Sequence, residues 1–565
     1  MKRSVSFILI LLIASFLLTL PVSALSLPVS ELDTQPSLGD SIDAFLNEHR
    51  SNNAAVAVAV FEGDTDIFTR YFGVLDEAGS IPLDETSVLE WGSTTKLTVW
   101  LAAMQLWDRG QLDLDADISV YLPDGFFKNL AFDTPITMLN LMNHNAGFQE
   151  TDFVLEVEDE ADVIPLGDYL AKYQPRQVFE PGTVVAYSNW GAALAGYVVE
   201  CISGVPFYEY AQTNIFAPLG MTHTAIAADL SDNAYVQQKR KEFVSYLPDG
   251  SLSEDNKVFI LPYPAGMCCS TLSDFVIFAK ALLNRDSRLL TAEGFDKLYS
   301  PSLTYTNTDL ARVYHGFLVD YEFATPIVGH DGNTAGGSSR LLLDLENNRG
   351  MVVLTNQLGG SMYRTKMAEL VFGISEHHND IDGYYIPARN VFEGRVKLMY
   401  NLFLINRCHI TSEMTEGLYI NILPDRFEIS TADYLVPRHD YRLYDALAVT
   451  WFVLAAMAAL SGIVRVIYLM VKRKGCRLDL LGAVYGLGLG ASLLALIPEI
   501  PSLVLAILAL LLVLCGGACA ICQLRAKRTE NAPLLTKLSR LQLWSLHLCL
   551  IVTLLNYFMW DMLIF

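Results

Sequence analysis

The sequence predicts an α+β protein that is followed by a small β-rich segment and an all-α transmembrane region of four helices. Two observations support this prediction. Within residues 41–375, strand patterns stand near both ends and helical patterns fill the middle, so one sheet is expected to take strands from both ends of the domain. Residues 444–565 consist largely of apolar runs, each near the ~20 residues that a helix needs to cross a bilayer.

The strand patterns are rich in β-branched and aromatic residues and are bounded by turn residues. Asn53–Phe61 predicts a first strand, and the turn Glu62–Asp64 separates it from a second strand over Ile67–Val74. Strand patterns return at Arg340–Leu345 and Met351–Thr355.

Helical patterns lie between and after these strands. A helix is expected from Ser93 to about Trp107, where Gly110 ends the pattern. Helices and loops account for most of residues 130–285, and another helix is expected over Ser361–Phe372. Residues 376–443 hold two short strand patterns, Tyr384–Ile386 and Leu418–Ile420, which predict a small β-rich connection between the domain and the membrane.

The N-terminus resembles an export signal. Lys2 and Arg3 precede an apolar run from about Val5 to Leu20, and Val22-Ser23-Ala24 is a small-x-small cleavage site. We expect a signal peptide over residues 1–24 and a linker over residues 25–40, with an uncleaved anchor as the alternative. Both alternatives place the following domain outside the cytoplasm.

Four apolar runs predict the transmembrane helices, at residues 446–471, 480–497, 503–522 and 541–560. Basic residues cluster after the first run and between the third and fourth runs: Lys472, Arg473, Lys474, Arg477, Arg525, Lys527, Arg528, Lys537 and Arg540. Basic loops stay on the cytoplasmic side, so the chain is expected to enter the membrane from outside at its first run. The prediction is a multi-pass cell-membrane protein with an extracytoplasmic domain.

The charge of the exported part excludes some partners. The chain has a formal net charge of -23, and residues 27–443 alone carry -30. Such a domain repels nucleic acid, and an acidic substrate is disfavoured unless a local basic pocket exists. The expected partners are the lipid bilayer and a small-molecule or peptide substrate. The spacing of the nine cysteines suggests no disulfide framework or zinc site, so neither a metal nor a cofactor is expected.

The segment Ser93-Thr94-Thr95-Lys96 is the central motif. Helical positions three apart share a face, which places the Lys96 amine beside the Ser93 hydroxyl. Serine alone is a poor nucleophile, but an amine whose pKa is lowered by burial can take its proton.

Two further motifs suit the same chemistry. In Tyr187-Ser188-Asn189, a tyrosine can relay a proton to a leaving group and an asparagine can orient the lysine and the substrate. His330-Asp331-Gly332-Asn333 precedes a glycine-rich stretch beside a strand, where backbone N–H groups can face an oxyanion.

The order Ser-x-x-Lys, Tyr-x-Asn and His-x-Gly resembles the serine β-lactamase and penicillin-binding-protein superfamily, and most closely its class C β-lactamase-related branch. Three longer stretches are also similar to that branch: Ile136–Phe148, Phe179–Asn189 and Ala217–Thr224. The resemblance covers about residues 40–375. It implies a β-lactamase/transpeptidase-like fold, which is an antiparallel sheet with flanking helices and a helical insertion.

The resemblance also implies roles for the motif residues. Ser93 would be acylated, Lys96 and Tyr187 would share the acid and base work, and Asn189 would orient the substrate. The backbone N–H groups of Ser93 and Asn333 would form the oxyanion hole. His330 and Gly332 stand where family members usually carry Lys-Thr-Gly, whose lysine helps to bind a substrate carboxylate.

This departure favours neutral substrates. An unperturbed His330 is neutral at pH 7 and titrates near pH ~6.5, and Asp331 is expected to add negative charge and to raise that pKa. The sequence therefore predicts a membrane-anchored hydrolase that acts on an ester, an amide or a D-amino-acid peptide. The alternatives are a sensor or penicillin-binding protein that stays acylated at Ser93, and an inactive scaffold, which the intact motifs disfavour.

Overall fold

The computed structural model describes residues 36–150, 154–253, 258–390, 408–412, 418–436, 441–472, 477–492, 508–517 and 546–554. The predicted signal peptide lies outside the described residues. The chain divides into two units, residues 1–49 and 50–565. In the first unit, helix α1 spans Leu38–Glu48, and the Ser37 side chain caps it by accepting from Asp40 N at 3.2 Å. The helix therefore begins inside the predicted linker.

The strands of the second unit are numbered in chain order. They are β1 Val56–Glu62, β2 Thr65–Phe72, β3 Leu89–Glu90, β4 Glu156–Val157, β5 Thr224–Ala225, β6 Phe259–Ile260, β7 Cys269–Ser270, β8 Leu303–Thr304, β9 Ala311–Tyr314, β10 Phe317–Asp320, β11 Ile327–Asn333, β12 Ser338–Asp344, β13 Arg349–Thr355, β14 Gly383–Pro387, β15 Cys408–Ile410, β16 Asn421–Ile422, β17 Arg426–Glu428 and β18 Asp433–Leu435.

The main sheet has eight strands in the order β2-β1-β13-β12-β11-β10-β9-β8, and the paired strands are antiparallel. Strand β1 pairs with β2 on one side and with β13 on the other, so the predicted joining of strands from both ends of the domain is confirmed. Six of the seven β1 residues are buried, which explains why its sequence is an almost continuous apolar run.

The helices of the second unit follow α1. They are α2 Lys96–Asp108, α3 Met138–Met142, α4 Leu166–Lys172, α5 Asn189–Ser203, α6 Phe207–Ala211, α7 Ala217–Leu219, α8 Ala234–Lys239, α9 Leu272–Leu283, α10 Ala292–Leu298, α11 Ser361–Phe372, α12 Tyr441–Lys472 and α13 Arg477–Ala491.

Helix α2 is the centre of the hydrophobic core. Eleven of its thirteen residues are buried, including Trp100, and the main apolar cluster joins it to α5, α9 and the main sheet. The predicted start of this helix differs in detail, because residues Gly92–Thr95 form a 3₁₀ turn and the α-helix begins at Lys96. That turn carries Ser93.

The β-rich segment is a five-stranded sheet in the order β15-β14-β18-β17-β16. The predicted strand Tyr384–Ile386 is confirmed within β14, whereas Leu418–Ile420 lies outside the strands, directly before β16. This sheet packs against the domain that carries the Ser93, Tyr187 and His330 motifs. Asp433 and Arg312 form an ion pair at 2.8 Å, with each side chain only 2% exposed.

A second contact holds the same two sheets together. The Glu428 carboxylate accepts from Thr306 N at 2.9 Å and from Thr306 Oγ1 at 2.6 Å. Tyr419 packs edge-on against Tyr305, with ring centroids 4.9 Å apart. A buried ion pair needs further hydrogen bonds to offset its desolvation, and Asp433 Oδ2 accepts one from Val185 N at 3.1 Å, which adds to the specificity of the docking.

Within the described residues of the C-terminal region, one helix is long and apolar enough to cross a membrane, Val449–Tyr468 within α12, with a mean hydropathy of 1.9. A bent pair, α5 with Phe207–Leu219, meets the same criterion but lies in the buried core. The four-helix prediction is not confirmed, because only residues 480–492, 508–517 and 546–554 of the other predicted spans are described. These described parts do pack together, through Tyr485, Leu512 and Leu546.

Candidate active site

Ser93 lies on the 3₁₀ turn at the entrance to α2, where its side chain is partly accessible. One turn later the Lys96 Nζ lies 2.9 Å from Ser93 Oγ. The Lys96 side chain has no exposed surface. The expected juxtaposition of these two side chains is therefore present, with an accessible hydroxyl and a buried amine.

Burial lowers the pKa of Lys96 well below its ordinary value, although the nearby Glu150 carboxylate opposes this by raising it. Besides Ser93, the amine contacts two oxygens, Asn189 Oδ1 at 2.8 Å and the Ala265 carbonyl at 2.6 Å. A neutral amine can donate to both oxygens and still offer its lone pair to the Ser93 hydroxyl. The contacts thus suit a lysine that takes a proton from Ser93.

Tyr187 covers the other side of this pair. Its ring centroid is 5.0 Å from Lys96 Nζ and its hydroxyl shares a hydrogen bond with Ser93. Burial raises the pKa of Tyr187. The Ser93 hydrogen bond and the Arg389 charge lower this pKa, but by less than burial raises it. Tyr187 is consequently a neutral phenol, which can donate a proton.

His330 occupies the position expected for the third motif, with Nε2 3.5 Å from Tyr187 Oη. Its Nδ1 lies 2.5 Å from the Asp331 carbonyl, and donation there leaves Nε2 as an acceptor for the tyrosine hydroxyl. Burial and then the Lys96 charge lower the pKa of His330 to about 4. The expectation of titration near 6.5 is therefore wrong, because burial outweighs the opposing charge of Asp331.

The expected negative charge of Asp331 is also compensated. Asp331 lines the same cavity as Ser93, but its carboxylate contacts two arginines. Arg340 Nε lies 2.8 Å from one carboxylate oxygen and Arg364 Nη1 lies 3.1 Å from the other. The electrostatic reason for excluding anionic substrates is thereby removed.

Glycine is required where the nucleophile turn meets β11. A Cβ atom on Gly332 would lie 1.8 Å from the Trp91 carbonyl oxygen, and one on Gly92 would lie 2.6 Å from Asn333 N. Ser339 Oγ donates to the same Trp91 oxygen at 2.5 Å. The backbones of Ser93 and Asn333 are therefore held close together, as the predicted oxyanion hole requires.

The stretch Ile136–Phe148 packs against Tyr187 and its neighbour Ser188. The His144 ring lies 4.3 Å from the Tyr187 ring, and His144 Nδ1 accepts from Ser188 N at 3.2 Å. A Cβ on Gly147 would lie 1.9 Å from the Phe179 carbonyl oxygen. This tight packing explains why the stretch carries its histidine and glycine.

Two charged residues of the site were not anticipated from the sequence. Glu150 accepts from Asn189 Nδ2 at 3.0 Å, which turns Asn189 Oδ1 towards Lys96, and from Ser188 Oγ at 2.9 Å. Arg389 follows β14 and places its guanidinium 5.1 Å from the Tyr187 ring centroid. Glu150 lies two residues after the family-like stretch Ile136–Phe148, which could have indicated it. No local sequence pattern marks Arg389 as a site residue.

A cavity of about 710 Å³ opens beside Ser93. The motif residues Ser93, Tyr187, Asn189, His330 and Asn333 line one side of it. The β-rich segment lines the other side: Pro387, Arg389, Leu418, Tyr419 and Tyr434. The segment predicted as a simple connection thus forms a wall of the candidate site.

An accessible serine hydroxyl beside a buried lysine and a neutral tyrosine defines the class of serine acyl-transfer sites. The chain belongs to the β-lactamase family, whose model, described as Beta-lactamase, matches residues 42–375. The resemblance to β-lactamases and penicillin-binding proteins is therefore confirmed.

Known proteins are similar over this region. Penicillin-binding protein 4* of Bacillus subtilis (strain 168) is 24% identical over 373 residues, which cover 61% of this chain and 76% of that protein. D-alanyl-D-alanine-carboxypeptidase/endopeptidase AmpH of Escherichia coli (strain K12) is 27% identical over 40% of this chain and 57% of its own. A D-amino acid amidase from Ochrobactrum anthropi SV3, solved with D-phenylalanine, aligns with a TM-score of 0.50 at 21% identity, covering 60% of this chain and 99% of its own, and shows the shared fold.

The Gly332→Ala variant tests the close approach of β11 to the nucleophile turn. The added methyl group would collide with the Trp91 carbonyl, so the turn and β11 must separate. We expect a loss of at least ~2 kcal/mol in the free energy of unfolding and loss of covalent labelling at Ser93 by a fluorescent phosphonate.

Gly383→Ala is the matched control, since Gly383 is also a strand residue but its added Cβ meets nothing nearer than 3.4 Å. It should keep both stability and labelling. Equal labelling of the Gly332 variant and the native chain would contradict the argument.

Proposed function

We propose that this chain is a membrane-anchored, extracytoplasmic serine hydrolase that forms an acyl-enzyme at Ser93 with an ester, an amide or a D-amino-acid peptide. The observation that carries the proposal is the 2.9 Å contact between the accessible Ser93 hydroxyl and the fully buried Lys96 amine. The relatives that act on D-alanyl peptides and D-amino acid amides support the substrate class.

In the acylation step, neutral Lys96 takes the proton of Ser93 Oγ as that oxygen forms a bond to the acyl carbon. The carbonyl oxygen becomes an oxyanion, which the backbone N–H groups of Ser93 and Asn333 stabilise. Tyr187 gives its proton to the leaving oxygen or nitrogen as the old bond breaks, and the proton held by Lys96 restores the phenol.

Deacylation uses the same groups in reverse. Lys96, neutral again once its proton has restored the phenol, takes a proton from a water molecule as the water oxygen attacks the acyl carbon. The bond to Ser93 Oγ breaks, and that oxygen regains its proton. In the resting site His330 Nε2 can accept the Tyr187 proton at 3.5 Å, and the Tyr187 hydroxyl turns from His330 to the leaving group when it gives that proton up.

Helix α12 is proposed as the membrane anchor, together with the three further predicted spans. Its outward side chains are exposed and apolar, including Phe452, Met457, Leu460 and Ile467. A soluble protein rarely exposes so long an apolar stripe. The basic residues after Lys472 place its C-terminal end in the cytoplasm by the positive-inside rule.

The Ser93→Ala variant tests the nucleophile. Because Ser93 is partly accessible on a turn, its loss should change the free energy of unfolding by less than ~1 kcal/mol. Phosphonate labelling and turnover of a panel of esters, D-amino-acid amides and β-lactams should both disappear. The exposed Ser231, replaced by alanine as a control, should leave both intact. Labelling that survives in the Ser93 variant would identify another nucleophile.

The pH profile tests Lys96 as the base. The reaction requires neutral Lys96, so kcat/KM for a neutral ester should rise with pH through a pKa well below the ~10.4 of free lysine. Glu150 raises the pKa of Lys96, so Glu150→Gln should lower it and move the rising limb to lower pH. A limb that stays in place or moves upward would argue against this assignment.

Reporter fusions test the topology. A reporter joined after Lys474 should behave as cytoplasmic, since it follows the first span, and one joined after Arg442 should behave as exported. Alkaline phosphatase and green fluorescent protein give opposite readouts at each position. The reversed pattern would refute the proposed orientation.

A further inference from the structure

The motif residues supply no free cation to an anionic substrate. Lys96 is fully buried and contacts three oxygens, and His330 is neutral above a pKa of about 4. Arg340 also lines the cavity, but it is paired with Asp331 at 2.8 Å and with Asp320 at 3.2 Å, and Arg364 is paired with Asp331. A cation for the substrate must come from another part of the cavity.

Arg389 meets this requirement. It lines the cavity together with Ser93, Tyr187 and Asn189, and its side chain is 40% exposed. Its backbone oxygen accepts from Glu150 N at 3.0 Å, which fixes the position of the residue from which the side chain extends. The guanidinium stacks at 5.1 Å over the Tyr187 ring, and Tyr187 in turn touches Ser93.

Glu150 does not use up the donors of Arg389. Arg389 Nη2 lies 3.4 Å from Glu150 Oε2, which is long for a charged pair. The same carboxylate accepts shorter bonds from Ser188 Oγ, Asn189 Nδ2 and Trp190 N. The planar fork of the guanidinium therefore keeps donors for a ligand.

We propose that Arg389 binds a carboxylate of the substrate and so determines specificity in place of the lysine that the third motif lacks. The inference rests on the proposed function at Ser93 and names its substrate class, acyl compounds that carry a free carboxylate. One cation suits a single negative charge, since the other arginine of the cavity, Arg340, is already paired with Asp331 and Asp320 and the second charge of a phosphate monoester would lack a partner.

This assignment also explains the position of the β-rich segment. The buried Arg312–Asp433 pair and the Thr306–Glu428 hydrogen bonds hold that sheet against the domain, and Arg389 follows its strand β14. An arginine carried by a firmly docked sheet has a defined position relative to Ser93. Such a position can discriminate between substrates that differ only in charge.

The test compares N-phenylacetyl-D-alanine with its C-terminal amide as ligands of the full-length Ser93→Ala protein. Isothermal titration calorimetry should give a Kd for the carboxylate at least about tenfold lower than for the amide, because bidentate charged hydrogen bonds are strong. Adding Arg389→Gln should abolish this preference, and Arg389→Lys should retain part of it.

Arg285→Gln is the matched control, since Arg285 also pairs with a carboxylate, Asp296 at 2.9 Å, and also lies over a tyrosine ring. It should keep the preference. Because Arg389→Gln could disturb folding, the carboxylate preference of the Ser93→Ala protein is also measured at rising NaCl, which should weaken carboxylate binding alone.

A preference that survives in Arg389→Gln, or equal binding of carboxylate and amide by the Ser93→Ala protein, would overturn the inference. These binding results are independent of turnover. Failure of the proposed function would be recognised separately, as absence of phosphonate labelling in the native chain.

Discussion

The site depends on the burial of one lysine amine beside one serine hydroxyl. Removing an ammonium group from water is costly, so the protein favours the neutral amine, which is the form able to take a proton. The surrounding contacts follow from this constraint. Asn189 and the Ala265 carbonyl orient the Lys96 amine, and Glu150 in turn orients Asn189. The side chains that contact the Lys96 amine, Ser93 and Asn189, thus each have a further partner, Tyr187 and Glu150, that limits the cost of their burial.

Backbone packing gives the site its precision. Gly332 and Gly92 let β11 and the nucleophile turn approach more closely than any side chain would allow, and Ser339 and Thr94 link them at 2.7 Å between hydroxyl oxygens. The two N–H groups proposed as the oxyanion hole belong to these two backbones. Their separation is consequently set by the core of the domain and not by mobile side chains.

Those features of the fold and the site that depend on local sequence patterns could be predicted from the sequence. The strands near both ends of the domain, the helix after Ser93 and helix α11 follow from apolar periodicity, and the motif order indicated which side chains meet. The pKa of His330 and the pairing of Asp331 could not be predicted, because both depend on burial and on arginines distant in the chain. The role of Arg389 could not be predicted for the same reason, because only tertiary packing brings its guanidinium next to the Tyr187 ring.

The acidic charge of residues 27–443 has to be weighed against the local charges of the cavity. A net charge of -30 over residues 27–443 repels anions at long range, but salt screens that repulsion beyond ~8 Å at physiological ionic strength. Inside the cavity the local groups decide the interaction, and there Arg389 carries the positive charge least matched by a partner. An acidic surface and a carboxylate-bearing substrate are therefore compatible. The acidic surface would slow the association of an anionic substrate, whereas Arg389 would slow its dissociation.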